Sequence, residues 1–155
     1  MTQTSQTSLV FDFMAPVYGS LKKYADPVLR LTAGGFLIPH GAQKLFGWFG
    51  GYGLEGTAGY FAGTLGFSNG YLAALASGSI EFFGGLLLAL GLFTRPVAAV
   101  IAGFLLVALS FHLPNGFIWT DLGYEYPLMW AVLAATYIVK GGGRYSLDRL
   151  IGKEF

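Results

Sequence analysis

Four stretches of the chain are apolar over lengths that matter in a bilayer, and the polar residues between them are not scattered. A membrane-crossing helix takes about 20 mostly apolar residues, within a range of roughly 17–25. Val28–Phe49, Leu72–Phe93, Val97–Leu113 and Tyr124–Lys140 meet or approach that length. The first is interrupted by the polar stretch "PHGAQK", the second only by Glu81 and small residues. The short "TRP" link makes the second and third an antiparallel hairpin, and Pro127 stands where the first turn of a helix tolerates proline. The pattern predicts an all-α fold, a polytopic membrane four-helix bundle. Residues 1–27 form an N-terminal tail and interfacial segment, 28–140 the transmembrane domain and 141–155 a C-terminal tail.

Between the first two spans lies "GGYGLEGTAGYFAGTLGFSNG", rich in glycine. Leu54, Ala58, Phe61 and Leu65 recur there at helical spacing. A short amphipathic or re-entrant helix on the outer face fits, and a flexible glycine loop is the alternative. Leu9–Asp26 mixes aromatics with Lys22 and Lys23, as an interfacial segment does. Met1–Ser8 is polar and uncharged, and no cleavable signal peptide is evident.

Composition supports the bilayer. Hydrophobic residues make up 54%, charged residues 11%, and the mean hydropathy is +0.59. An average soluble domain carries about 25% charged residues, which argues against a soluble helical bundle. A net charge of +1 gives no electrostatic case for nucleic acid. The absence of cysteine excludes disulfides, thiol catalysis and thiolate metal sites. Lys22, Lys23, Arg30, Arg95, Lys140, Arg144, Arg149 and Lys153 all fall on one side of a four-crossing chain, and the two opposite loops hold no Lys or Arg. The positive-inside rule then places both termini in the cytoplasm.

The ninth basic residue, Lys44, lies inside the first span. Ionisable groups within a membrane are costly and are functional candidates by default. By a rise of 1.5 Å per residue, His40 stands roughly 18 Å from the cytoplasmic end of its span and Glu81 roughly 14 Å from the outer end of its own. In a core about 30 Å thick these depths nearly coincide. Lys44 lies one turn further out, His112 near the outer end of the third span, and Glu125 opens the fourth on the same side. Arg30, His40 and Lys44 share an arc of about 80° on the first helix. Ala74, Ser77, Gly78, Gly84 and Gly85 surround Glu81 with small residues, so Glu81 is expected to face the bundle. Pro39 leaves the Gly35 carbonyl without its usual donor, which would open space beside His40. Each group also has a plainer role. Glu81 pairs with His40 or Lys44 to fix packing, Lys44 snorkels outward, His112 is interfacial and Arg30 anchors at the inner headgroups. Trp48, Trp119 and Trp130 read as belt or packing aromatics. Haem on His40 and His112 is disfavoured by their different depths, and no HxxxH or ExxH spacing supports a metal.

Taken together, "RLTAGGFLIPHGAQKLFG", "GFSNGYLAALASGSIEFFGGLLLALGLFTRPVAA", "HLPNGF", "YEYPLMW" and "GGGRYSLDRLIG" resemble the DoxX family over 28–152. The matching positions are Arg30, His40, Gly41, Lys44, Glu81, Gly85, Arg95, Glu125 and Asp148. The resemblance implies a four-helix inner-membrane protein, related to a quinone oxidoreductase subunit associated with a terminal oxidase. Two readings follow. In the first, the chain is a subunit of a quinone-linked complex. His40 and Glu81 handle protons, and Lys44, His112, Glu125 and Arg30 contribute to ligand binding. With no electron carrier of its own, whether the chain is itself an enzyme stays open, and a protein partner or second copy is expected. In the second, it is a non-enzymatic scaffold or small-molecule-binding subunit, and the polar cluster only locks the helices.

Overall fold

A computed structural model describes residues 9–155, and among these every regular element is helical, with no strand. The elements are α1 (Ala15–Phe46), α2 (Gly53–Gly63), α3 (Gly70–Leu90), α4 (Thr94–His112), α5 (Glu125–Lys140) and α6 (Leu147–Ile151). The first apolar stretch belongs to a longer helix than its hydropathy indicates. α1 is already helical at Ala15 and continues through Pro27 and Pro39. Its 32 residues extend over roughly 48 Å, so it outruns a 30 Å apolar layer by several turns. The glycine-rich loop does contain a helix, α2. Its Leu54, Ala58 and Phe61 are half-buried against the start of α3 and the end of α1. Gly70 permits the approach, since an added Cβ there would lie 2.2 Å from the Ala58 carbonyl oxygen.

α1 packs along α3, and α4 packs along α5, with α3 and α4 in contact between the two pairs. The α1–α3 seam is unusually close. On α1 it uses Arg30, Gly34, Leu37, Gly41 and Lys44, alternately four and three residues apart. On α3, Ala74, Gly78, Glu81, Gly85 and Leu88 repeat the same spacing. An added Cβ on Gly34 would stand 2.3 Å from Gly85 O and 2.5 Å from Ala89 N; one on Gly41 would stand 2.4 Å from Phe82 N. Small residues at these positions let the two backbones touch, as helices in lipid require when no hydrophobic force drives them together.

The polarity of the molecule is inverted. Its core is built largely from small residues, including Ala33, Ala98, Ala102, Ala131 and Ala134, with Leu37, Leu88, Ile101, Leu105 and Tyr137 as the large members. Arg30, Glu81, Thr94 and Asp148 are buried, whereas Phe83, Leu86, Val100, Leu106, Val107, Val132 and Val139 face outward. α3 and the α4 segment Thr94–Asn115 are long and apolar enough to cross a membrane, with mean hydropathies of 1.7 and 2.2. Only 39% and 22% of those windows is buried, which is unlike the core helix of a soluble protein. α5, at 16 residues, is about 24 Å long and α1 carries more charge, so neither stands out by the same measure.

The seam yields a paired prediction. Gly34→Ala and Gly41→Ala each cost about 1–3 kcal/mol of stability, the usual range for overpacking. Gly35→Ala, where nothing lies within 4 Å of the added Cβ, is neutral or slightly stabilising. Thermal unfolding in detergent separates the three.

Candidate functional site

Glu81 lies in a single π-helical turn, Ile80–Gly84, that interrupts α3. Such turns insert one residue into an α-helix and recur at functional sites. The Glu81 carboxylate is buried, and its Oε2 accepts a 2.5 Å hydrogen bond from Lys44 Nζ of α1. Glycines set this geometry. An added Cβ on Gly78 would meet Leu45 at 2.8 Å and the Lys44 Cβ at 3.2 Å, so Gly78 gives the lysine stem room to turn toward α3. The ion pair is not sealed: the Lys44 side chain is 23% exposed, against 8% for Glu81. His40, one turn earlier on α1, is on the outer surface.

The structure thus brings Lys44 and Glu81 together and leaves His40 at the edge of the pair. Lys44 turns inward to Glu81 and does not snorkel. The other candidates are held elsewhere. His112, at the end of α4, donates from Nδ1 to the Leu122 carbonyl at 2.5 Å, a carbonyl that also accepts from Asn115 Nδ2. Glu125, at the start of α5, accepts from the Trp119 backbone N–H at 3.2 Å. Both side chains fasten the connection between α4 and α5, and Trp119 stacks on Tyr126 beside them.

Arg30 lies at the opposite end of α1. It is buried rather than anchored among headgroups, and it donates from Nη1 to Gly142 O at 2.8 Å and from Nη2 to Tyr145 O at 2.5 Å. Gly91, at φ +68°, closes over it; an added Cβ there would fall 1.6 Å from Arg30 Nη1. Beside it Asp148, 1% exposed, accepts from Phe93 N, Thr94 N and Thr94 Oγ1 at 2.8, 2.9 and 2.6 Å. These are the free donors at the start of α4, so Asp148 caps that helix from a distance and sets a negative charge at its positive end. Asp148 N in turn donates to Gly91 O. Arg95 caps the far end of α5, donating to Ile138 O and Val139 O, and pairs with Glu154. Lys140 pairs with Asp26 of α1. The closing segment "GGGRYSLD" is therefore bound into the helical body by a buried polar knot.

Physical reading of the sequence did not find this knot. Asp148 and Thr94 stand outside the predicted spans, and their partners are backbone groups that no residue pattern displays. One local signal was present: Ser146 starts α6 by accepting from the Arg149 N–H, a serine cap legible in "YSLDR".

Chemically, the two ends differ. Around Arg30 and Asp148 the polar atoms are spent on backbone groups, apart from Arg30 Nε, which is buried without a partner. At the other end, Lys44 and Glu81 form a donor–acceptor couple able to pass a proton. Among the described residues no group of three or more His, Asp or Glu side chains is placed to hold a metal ion.

Buried charge, an outward apolar surface and two membrane-length helices define an all-helical membrane protein. The DoxX family model matches residues 25–113, more than half of the chain, and the chain belongs to that family. No curated protein and no solved structure matches it.

Two outcomes test the geometry. Lys44→Met leaves Glu81 buried and uncompensated, and costs about 3–5 kcal/mol; adding Glu81→Leu recovers most of that loss, because the desolvation cost of both charges disappears. A double-mutant cycle on thermal unfolding measures the coupling. At the other end, Asp148→Ala strands two N–H groups and a hydroxyl, at about 1–3 kcal/mol for each group left buried and unpaired. The closing segment is then released, and trypsin cleaves at Arg144 and Arg149 faster than in the parent.

Proposed function

We propose that the chain is an inner-membrane subunit of an oxidoreductase complex that works on a quinone. In this reading α1, α3, α4 and α5 each cross the membrane, as a four-helix bundle. The Arg30 end, with both termini, lies in the cytoplasm. Eight of the nine basic residues lie toward that end, and the connections at the Lys44 end carry none, which supports the orientation.

The observation that carries the functional reading is the ion pair between Lys44 and Glu81 of the π turn, its lysine partly exposed and the exposed His40 one turn away on α1. A quinone brings a two-electron, two-proton couple and two carbonyl oxygens that need donors. Lys44 has N–H bonds beyond the one given to Glu81, and His40 offers a ring N–H from the adjoining turn of the same helix. A headgroup arriving from the lipid meets both before it meets Glu81. The ammonium stabilises negative charge developing on the quinone oxygen. With two electrons delivered to the quinone, one reduced oxygen takes the Lys44 proton, leaving the neutral amine beside the Glu81 carboxylate, which holds Lys44 in place. Water reaching the exposed side of Lys44 restores that proton and supplies the second. Electrons come from a partner subunit with its own redox centre, since this chain has no cysteine and no metal-ligand cluster among its described residues. His112, Glu125 and Arg30 are left with structural roles.

The second reading, a scaffold or binding subunit, draws on one observation: the Glu81 carboxylate is already satisfied by Lys44. Glu81→Gln separates the two, since it keeps the shape and removes the charge. Under the quinone reading, quinone retained by protein purified in mild detergent falls on the order of tenfold, the size of one charge-assisted hydrogen bond. Equal retention by parent and variant, or no quinone in the parent even on titration, supports the scaffold instead. Topology is tested directly because the chain has no cysteine. Single cysteines at Ser68 and Asn115 react with an impermeant thiol reagent from outside intact cells, and one at Lys153 reacts only after lysis.

A further inference from the structure

The closing segment forms a shallow polar cleft of about 270 Å³, lined by Gly143, Arg144, Asp148, Arg149, Gly152, Lys153 and Glu154. Its acids are already committed. Asp148 gives its oxygens to the start of α4, and Glu154 pairs with Arg95, which stands outside the cleft. Its cations are not: among the described residues Arg144, Arg149 and Lys153 form no ion pair. Arg144 only leans over the Tyr145 ring, at 5.8 Å. Arg144, Arg149 and Lys153 therefore line one small hollow whose two carboxylates are engaged elsewhere.

The surroundings are amphipathic. Leu150, on α6, is 81% exposed, and Ile151 and Phe155 are exposed beside it, so large apolar side chains project next to the cations. Tyr24 and Tyr145, stacked at 5.9 Å, and Lys23 over the Tyr24 ring continue this character around the same end. Aromatic rings and cations at a helix end mark the headgroup level of a bilayer. A short helix with apolar residues on one side and cations on the other lies in that plane.

We infer that this cleft is a binding site for the phosphate of an anionic phospholipid. Arg144, Arg149 and Lys153 hold the headgroup, and Leu150 and Ile151 rest on the acyl chains. Arginine offers paired N–H donors to phosphate oxygens, and lysine a compact charge. Because the cleft is built from the segment that Arg30 and Asp148 bind down, lipid binding here fastens that segment to the membrane surface. The inference needs this end to lie at a membrane face. It does not depend on which face, nor on the quinone reading.

The test is native mass spectrometry of the full chain released from nanodiscs of equal phosphatidylglycerol and phosphatidylcholine. The parent retains phosphatidylglycerol preferentially. Arg144→Gln/Arg149→Gln/Lys153→Gln lowers that preference on the order of tenfold or more, as expected for removal of three near-surface cations. Should the triple variant fold poorly, Arg149→Gln alone shows a smaller loss in the same direction. Lys22→Gln/Lys23→Gln removes two cations from the same end but outside the cleft, and leaves the preference unchanged. An equal loss in that variant would mean diffuse surface charge and overturn the site. So would a folded triple variant with parental preference. Binding of inorganic phosphate in lipid-free detergent, with no preference between the two lipids, would assign the cleft to a soluble phosphate and overturn the lipid assignment.

Discussion

The close approach of α1 and α3 is the constraint on which the other features depend. Helices in lipid gain little from burying apolar surface against each other, so contact must come from van der Waals packing and a few polar bonds. Gly34 and Gly41 on one helix, and Gly78 and Gly85 on the other, remove the side chains that would hold the backbones apart. Once they touch, the seam fixes what can happen at its two ends. At one end Lys44 comes within hydrogen-bond reach of Glu81. At the other, Arg30 slides under Gly91, the residue that follows α3, whose left-handed backbone and missing Cβ leave space for a guanidinium.

Both ends bury charge, but they neutralise it differently. Arg30 and Asp148 are answered by peptide groups: two carbonyls for the guanidinium, and two N–H groups with one hydroxyl for the carboxylate. Peptide groups neither titrate nor rotate away, so this end is fixed. Lys44 and Glu81 answer each other. One holds a proton that the other can accept, and Lys44 remains partly open to the outside. A proton moved within the pair changes two charges at once and leaves the total unchanged, the least costly charge movement in a low-dielectric surrounding. This asymmetry leaves the titratable, partly open pair at the Lys44 end and the fixed contacts that bind the closing segment at the Arg30 end.

Much of this was legible in the sequence. Apolar runs located the long helices, and the spacing of Leu54, Ala58 and Phe61 located α2. The small residues around Glu81 identified its inward face. His40 shows where such reading stops. Its phase places it within the same arc as Arg30 and Lys44, but the seam is narrow. Residues 30, 34, 37, 41 and 44 fill it, and His40 falls just outside. A helical arc of 80° is wider than a contact made through glycine, so angle alone could not decide. The continuity of α1 was hidden by Pro27, which in a short window looks like a boundary. The knot at Asp148 was hidden for a different reason. Its partners are main-chain donors brought near by tertiary structure, and main-chain donors leave no mark in composition or period.

The π turn connects the seam to the chemistry. A regular α-helix could present the small face of α3 to α1 without interruption, and the sequence around Ile80–Gly84 contains no proline to force a break. The widened turn occurs at the one residue on that face that is charged. A buried carboxylate needs its donor at a fixed distance, whereas glycine-to-backbone contacts on either side fix the helix separation independently. The extra residue of a π turn lets the local backbone satisfy both demands, shifting Glu81 without moving Gly78 or Gly85 out of contact. The irregularity is thus the structural consequence of setting an ion pair into a glycine seam, and it marks the place in α3 where close packing gave way to the position of a single side chain.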